Sequence, residues 1–159
     1  MKKAMSVFLA VLIAGPWVFI PPAGAQHVHG GGAKGHGMKM DTREVLVEGM
    51  RITFAIMNNK EHKKMLQELK MKEDLEPDTT HNISVTLKDQ KGKEVIDAQV
   101  GMKVIDPKGK DQIKPLKYED GMKSYQAYFN LAGKGKYQIL LLVTTGDQKR
   151  TAGIHYDVK

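Results

Sequence analysis

The run IDAQVGMKVIDPKG, residues 96–109, contains the longest clean alternation of apolar and polar residues in the chain. Apolar or small residues occupy every second position from Ile96 to Val104, which is the spacing of a strand with one buried face. The segment DPKG at its end, residues 106–109, combines Pro and Gly in the order that a tight turn favours. The stretch therefore predicts a half-buried β-strand that ends in a turn.

The same pattern recurs along most of the remaining chain. Further strand-like runs lie at about residues 44–48, 51–56, 83–88, 113–118, 125–131, 137–145 and 152–158. Because Pro115 has no N–H to donate, its run is expected at a sheet edge. Seven or eight short strands separated by turns, without strand–helix alternation, predict an all-β, antiparallel β-sandwich.

One segment breaks the strand pattern after the first two runs. Asn58, followed three residues later by Glu61, resembles a capping box at a helix start. Apolar and aromatic residues then recur at three- and four-residue steps, namely His62, Met65, Leu66 and Leu69. This spacing predicts one short amphipathic helix, inserted at about residues 59–73 and ended before Pro77.

The N-terminus has the pattern of a secretory signal peptide. Lys2 and Lys3 precede an apolar run over residues 5–20, and the small residues 23–25 form a cleavage site. A retained membrane anchor is the alternative, although the apolar run is short for a span and prolines interrupt it. We therefore expect residues 1–25 to be removed, leaving a periplasmic or secreted protein without a membrane span.

Residues 26–43 are rich in Gly, His and Met and have no apolar period, so a disordered tail is expected. His27, His29 and His36 make this tail either a metal-capturing segment or a plain flexible linker, and composition leaves both open. Residues 44–159 are predicted to form a single β-sandwich domain with the helical insertion.

Charge and motifs argue against two classes of function. The net charge of +7 comes from lysines spread over turns and polar faces, and the export signal removes nucleic acid as a partner. No G-x-S-x-G, phosphate-binding loop or dinucleotide-binding pattern occurs, and no nucleophile–base pair is evident. The chain is therefore not expected to be an enzyme.

Soft metal ligands are the remaining chemical signal. The chain has ten Met and no Cys, so its soft ligands are thioethers and imidazoles, which suit copper. His62 and Met65 share one helical face, and His81 heads an inward-facing strand row. If the helix folds back over that end of the sandwich, His62 and His81 converge, and Met57 or Met65 completes a site. The alternative is that Met65 packs the helix and each histidine is a rim residue. Met122, in a loop, is either a further ligand or merely exposed.

Two segments resemble a known family. The sequence GKEVIDAQV, residues 92–100, followed by DPKG, residues 106–109, resembles the G-x-x-V-x-x-A-x-V … P-x-G strand pair of exported immunoglobulin-like modules. The sequence GKGKY, residues 133–137, resembles the G-x-Y start of a late strand in these modules. With a preceding His and a later loop Met, the segments are similar to small bacterial YtkA-like domains, neighbours of the CopC-type periplasmic copper-handling sandwich proteins. The resemblance covers about residues 81–158 and implies an immunoglobulin-like sandwich outside the cytoplasm.

Two functions remain as predictions from the sequence. The first is an exported β-sandwich protein that binds or buffers a metal ion, with copper preferred, through His and Met side chains. The second is a metal-free accessory module of the cell envelope whose loops contact a partner protein.

Overall fold

The computed structural model describes residues 38–159. This part of the chain contains eight strands and one helix: β1 Asp41–Val47, β2 Met50–Asn58, α1 Asn59–Glu68, β3 His81–Lys88, β4 Gln99–Ile105, β5 Asp111–Glu119, β6 Ser124–Phe129, β7 Gly135–Thr145 and β8 Gln148–Val158. The predicted signal peptide and most of the predicted tail lie outside it, although β1 begins inside the range assigned to the tail. A helix of the length and hydropathy needed to cross a membrane is not found within residues 38–159.

The strands form a nearly closed antiparallel sandwich. Their order is β1-β2-β3-β6-β5-β4-β7-β8, and every neighbouring pair is antiparallel. The first and last strands of this order, β1 and β8, approach each other but are not paired, so the structure is nearly closed. The predicted all-β antiparallel sandwich with one short helix is therefore confirmed.

Strand β5 joins the two sheets. Residues 111–116 pair with β4, and residues 117–119 pair with β6. The edge position predicted from Pro115 was thus only half right, because β5 lies between two strands. Each part of β5 nevertheless has a single partner strand, so one side of Pro115 is free of ladder hydrogen bonds.

The core fills the space between the sheets with alternate residues of each strand. Phe54, Val85, Val104 and Ile139 are completely shielded from solvent, and each lies on an inward-facing row. Burial of such a side chain contributes about 1.5–3 kcal/mol. Since the chain has no cysteine, this burial holds the sandwich together in place of disulfides.

A tyrosine corner marks the start of β7. The Tyr137 hydroxyl donates to the Gly133 carbonyl at 2.8 Å and accepts the Gly133 N–H at 3.0 Å. Such a corner, at the beginning of a late strand, is a hallmark of immunoglobulin-like sandwiches. It gives a structural reason for the GKGKY pattern seen in the sequence.

Strand β4 begins later than the alternating pattern predicts. The Tyr125 hydroxyl donates to the Val95 carbonyl and accepts the Ala98 N–H, both at 3.0 Å. These bonds replace those to a neighbouring strand, so Ile96 is exposed and β4 starts only at Gln99. The prediction of a strand from Ile96 was therefore wrong for its first three residues.

Helix α1 begins where the sequence predicts. The Asn58 side-chain oxygen accepts the Glu61 N–H at 2.9 Å, as expected for an N-cap. His62 and Leu66, one turn apart, are buried against the sheet. Leu69 was expected on the same face, but it lies beyond the last helical residue and is exposed.

The helix ends at Glu68 and not near residue 73. Lys70 adopts φ +54°, and its N–H bonds to the Gln67 carbonyl at 3.1 Å. The Met71 N–H bonds to the Leu66 carbonyl at 2.9 Å. These two bonds form a Schellman closure, in which the left-handed position usually holds Gly. Because Lys70 occupies this position, no glycine marks the helix end in the sequence.

Candidate metal-binding residues

The two histidines predicted to share a site lie on opposite sides of a sheet. Asn82 on β3 and Tyr128 on β6 are directly paired and point outward, whereas the adjacent residue His81 points inward. The His62 ring meets the Tyr128 ring edge to face, with centroids 5.5 Å apart, so it lies on the outer side. The His81 ring instead contacts Tyr156 of β8, at 6.1 Å between centroids. The structure therefore does not bring His62 and His81 together.

His62 is completely enclosed between α1 and the outer face of the β2–β3–β6 sheet. Its exposed fraction is 1%. Neither ring nitrogen, Nδ1 or Nε2, finds a hydrogen-bond partner within residues 38–159, and neither does the side-chain oxygen of Asn59 one turn earlier. Buried polar groups without partners are rare in folded proteins and mark places where something else satisfies them. Burial also lowers the pKa of His62, so the ring is neutral at pH 7 and a nitrogen lone pair is available.

Two thioethers occupy the same layer as His62. Met57 is paired with Asn82 in the β2–β3 register, so it shares the outer face, and it is 95% buried. Met65 follows His62 by three residues on α1 and is half-buried. On the side of the sheet that α1 covers, the chain therefore presents one neutral imidazole and two thioethers.

The segment that follows α1 returns along the helix and fixes it to the sheet. The Asn59 backbone N–H donates to the Thr80 carbonyl at 2.8 Å, and its side-chain amide donates to the Thr79 carbonyl at 2.9 Å. Farther along the helix, Lys63 forms an ion pair with Glu73 at 3.0 Å. The hydrogen bond from Lys63 lowers the pKa of Glu73, so this carboxylate stays ionised. These contacts hold α1 and the segment after it in place at both ends of the helix.

His81 lies at the end of the sandwich where β1 begins. The Thr80 hydroxyl accepts the Leu131 N–H at 2.8 Å and lies 2.8 Å from His81 Nδ1, to which it can donate its proton. This arrangement favours a neutral ring with its proton on Nε2, and burial lowers the pKa of His81. Burial, and next the carboxylate of Asp41 at the start of β1, raise the pKa of the neighbouring Tyr156. Strand β1 therefore begins close to His81.

The other predicted ligands lie elsewhere. Met122 lies in the turn between β5 and β6, and the four residue steps along β6 from Ser124 to Tyr128 span about 13 Å. Met122 is therefore remote from the His62 layer. His27, His29 and His36 lie outside the described residues. Within residues 38–159, no three His, Cys, Asp or Glu side chains converge on one point, so the donor set on offer is imidazole with thioether.

Two residues of this layer were not predicted. Tyr128 has the outward parity of its strand, opposite to Tyr125 and Phe129 in the core. A large aromatic residue in an outward position of a strand is the signal that something covers that face. Asn59, next to the helix cap, gave no comparable signal in the sequence.

Comparison with known proteins shows the fold. No protein-family model and no curated protein matches the chain. Among solved structures, FetP of uropathogenic Escherichia coli strain F11, expressed in the periplasm, is similar with a TM-score of 0.58 at 9% identity, over 77% of this chain and 97% of FetP. A copper-bound variant of FetP has a TM-score of 0.56 at 9% identity, over 75% of this chain and 97% of the variant. A DUF4426 family protein of Pseudomonas aeruginosa PAO1 has a TM-score of 0.55 at 16% identity, over 74% of this chain and 94% of that protein. The resemblance to exported copper-handling sandwiches is thus confirmed as a distant likeness of fold.

Proposed function

We propose that the protein binds copper, as Cu(I), in the layer between α1 and the sheet. His62 supplies the nitrogen ligand, and Met57 and Met65 supply thioether sulfurs. The observation that carries the proposal is the buried His62 ring, whose two nitrogens have no partner within the described residues. Leaving a buried polar group unsatisfied costs about 1–3 kcal/mol, and a bond from one nitrogen to a metal ion offsets part of that cost.

The character of the ligands favours Cu(I) over other metals. Thioethers and a neutral imidazole are soft donors without charge, which select Cu(I). Zinc prefers three or four nitrogen, thiolate or carboxylate ligands, and no such group converges within residues 38–159. The neutral state of His62, caused by its burial, also leaves its nitrogen free to coordinate.

The wider setting supports a binding protein of the cell envelope. The N-terminal sequence predicts export, and the fold is like that of FetP, a variant of which has been solved with copper bound. At 9% identity this likeness supports the choice of metal but assigns no residue. In this proposal His27, His29 and His36 capture the ion at the surface, and the protein buffers copper or passes it to an envelope partner without catalysing a reaction.

A competition titration tests the proposal. The protein carrying His27→Ala, His29→Ala and His36→Ala is titrated anaerobically with Cu(I) against a chromophoric Cu(I) chelator. We expect a dissociation constant of about 1 μM or below. The His62→Leu change in this background should weaken binding by about tenfold or more, equivalent to about 1.4 kcal/mol.

Two other histidines provide matched controls. His81→Ala changes a half-buried ring on the opposite side of the sheet, and His155→Ala changes an exposed ring on β8. Neither should alter the Cu(I) dissociation constant. Binding that is unaffected by His62→Leu would refute the proposed site. If neither this protein nor the unaltered one binds Cu(I), the metal-free envelope module becomes the better description.

A further inference from the structure

The outer face of the β4–β5–β7–β8 sheet carries an apolar patch. The strand registers place its members side by side in two rows. We call these residues the β4–β7 patch: Gly101, Ile113, Pro115, Leu140, Leu142 and Gly153. Ile113 is 70% exposed and Leu142 is 43% exposed. Lys103 lies in the second row between Ile113 and Leu140, and its ammonium forms an ion pair with Asp111 at the edge of the patch at 2.7 Å.

Glycines make the β4–β7 patch flat. No atom lies within 4 Å of the position that a Cβ would take at Gly101. A Cβ at Gly153 would stand 3.0 Å from Cδ2 of Leu140, so the Leu140 side chain lies down over this glycine. A flat apolar sheet face suits face-to-face packing against another sheet, at a separation of about 10 Å.

The opposite sheet already has a cover on its outer face. There α1 buries His62 and Leu66 against β2, β3 and β6. No helix or strand within residues 38–159 lies over the β4–β7 patch. A contiguous exposed apolar surface on a folded domain marks an interaction site.

We infer that the β4–β7 patch binds the same patch of a second copy of the chain. The charges on β5 favour this occupant. Asp111 and Lys117 point outward at the two ends of β5, and the outward residues between them are Ile113 and Pro115. Within one copy Asp111 forms an exposed ion pair with Lys103 at 2.7 Å, and its carboxylate has a second oxygen for a lysine of the other copy. A two-fold axis in the plane of the interface, perpendicular to the strands, places each Asp111 opposite Lys117 of the other copy. An axis parallel to the strands would instead bring Lys117 towards Lys149 of the second copy, a like-charge contact.

The apolar side chains match under the same axis. Ile113 faces Pro115 of the second copy, and on β7 Leu140 faces Leu142. On β4, Lys103 faces Gly101, where the absent side chain leaves room for the lysine stem. Every contact occurs twice, as a two-fold interface requires. The ion pairs are exposed and fix the register more than they add affinity.

The size of the surface predicts a weak dimer. Four strands about 4.8 Å apart and four rows of outward residues cover about 15 by 20 Å. This is about 300 Å² per copy, or about 600 Å² in total, which is below the area of stable protein–protein interfaces and fits a weak, transient contact. We therefore expect a dissociation constant on the order of 100 μM.

Sedimentation equilibrium tests the inference independently of the copper proposal, because it is done with EDTA present. The unaltered protein, studied from about 10 μM to about 1 mM, should show a reversible monomer–dimer equilibrium. Ile113→Lys should weaken the dimer by about tenfold or more. The matched control is Leu46→Lys on β1, where the leucine is 71% exposed but outside the patch; it should leave the equilibrium unchanged.

Charge exchange tests the orientation of the two copies. Lys117→Glu alone should weaken the dimer because it places two carboxylates opposite each other. Adding Asp111→Lys restores opposite charges across the axis and should recover association relative to Lys117→Glu. A protein that stays monomeric at the highest concentration, or equal weakening by Leu46→Lys, would overturn the inference. So would a double variant that associates no better than the single one.

Discussion

Replacing His62 with leucine should make the metal-free protein more stable. The ring is 1% exposed, and its two nitrogens have no partner within the described residues. Each unsatisfied group costs about 1–3 kcal/mol, whereas an apolar side chain of similar size avoids this cost. The lost edge-to-face contact with Tyr128 opposes the gain by about 0.5–1.5 kcal/mol. The net expectation is a stabilisation of about 1–3 kcal/mol, or an increase in Tm of about 4–10 °C.

Urea unfolding followed by far-ultraviolet circular dichroism in EDTA measures this difference. His155→Leu, at an exposed histidine, is the control and should change the free energy of unfolding by no more than about 0.5 kcal/mol. With Cu(I) at a hundredfold excess over its dissociation constant, the unaltered protein should gain about 2.7 kcal/mol and His62→Leu should gain much less. If His62→Leu destabilises the metal-free protein by more than about 1 kcal/mol, the ring nitrogens are satisfied and the reasoning fails.

Three further changes test other parts of the structure. Because burial lowers the pKa values of His62 and His81, the unfolded chain binds more protons in acid. The free energy of unfolding should therefore be at its full value above pH ~6.5 and should fall as the pH drops towards the lowered pKa values of the folded protein. A urea midpoint that is unchanged from neutral to acid pH would contradict the lowered pKa values of both histidines. Lys70→Gly should stabilise the protein by up to about 1 kcal/mol, because glycine adopts φ +54° without strain; a lower urea midpoint would argue against the Schellman closure. Tyr137→Phe removes both hydrogen bonds to Gly133 and should cost about 1–3 kcal/mol in the same assay, and an unchanged midpoint would show that the corner contributes nothing.

The strands could be predicted because their pattern is local. Side chains alternate between the two faces of a strand, so a buried row such as Ile83 and Val85 is visible in the sequence alone. The start of β4 was not visible, because it depends on the Tyr125 hydroxyl, which contacts Val95 and Ala98 from 30 and 27 residues away. A pattern that repeats every second residue contains no information about a hydrogen bond between residues 27 or 30 positions apart.

The candidate site was predictable only one element at a time. Helical spacing placed His62 and Met65 on one face of α1, and strand parity placed His81 on an inward row. Neither pattern specifies which face of the sheet the helix packs against. Because α1 covers the outer face, next to Tyr128, His62 and His81 diverge although each was assigned to the correct side of its own element.

X-ray absorption at the copper edge identifies the atoms bound to copper in the protein. The sample is the protein with His27→Ala, His29→Ala and His36→Ala, loaded with one equivalent of Cu(I). We expect one imidazole nitrogen and sulfur scatterers from Met57 and Met65, with the sulfur signal reduced by Met57→Leu and by Met65→Leu. A spectrum with only nitrogen or oxygen ligands, or one that both methionine substitutions leave unchanged, would contradict the proposed site.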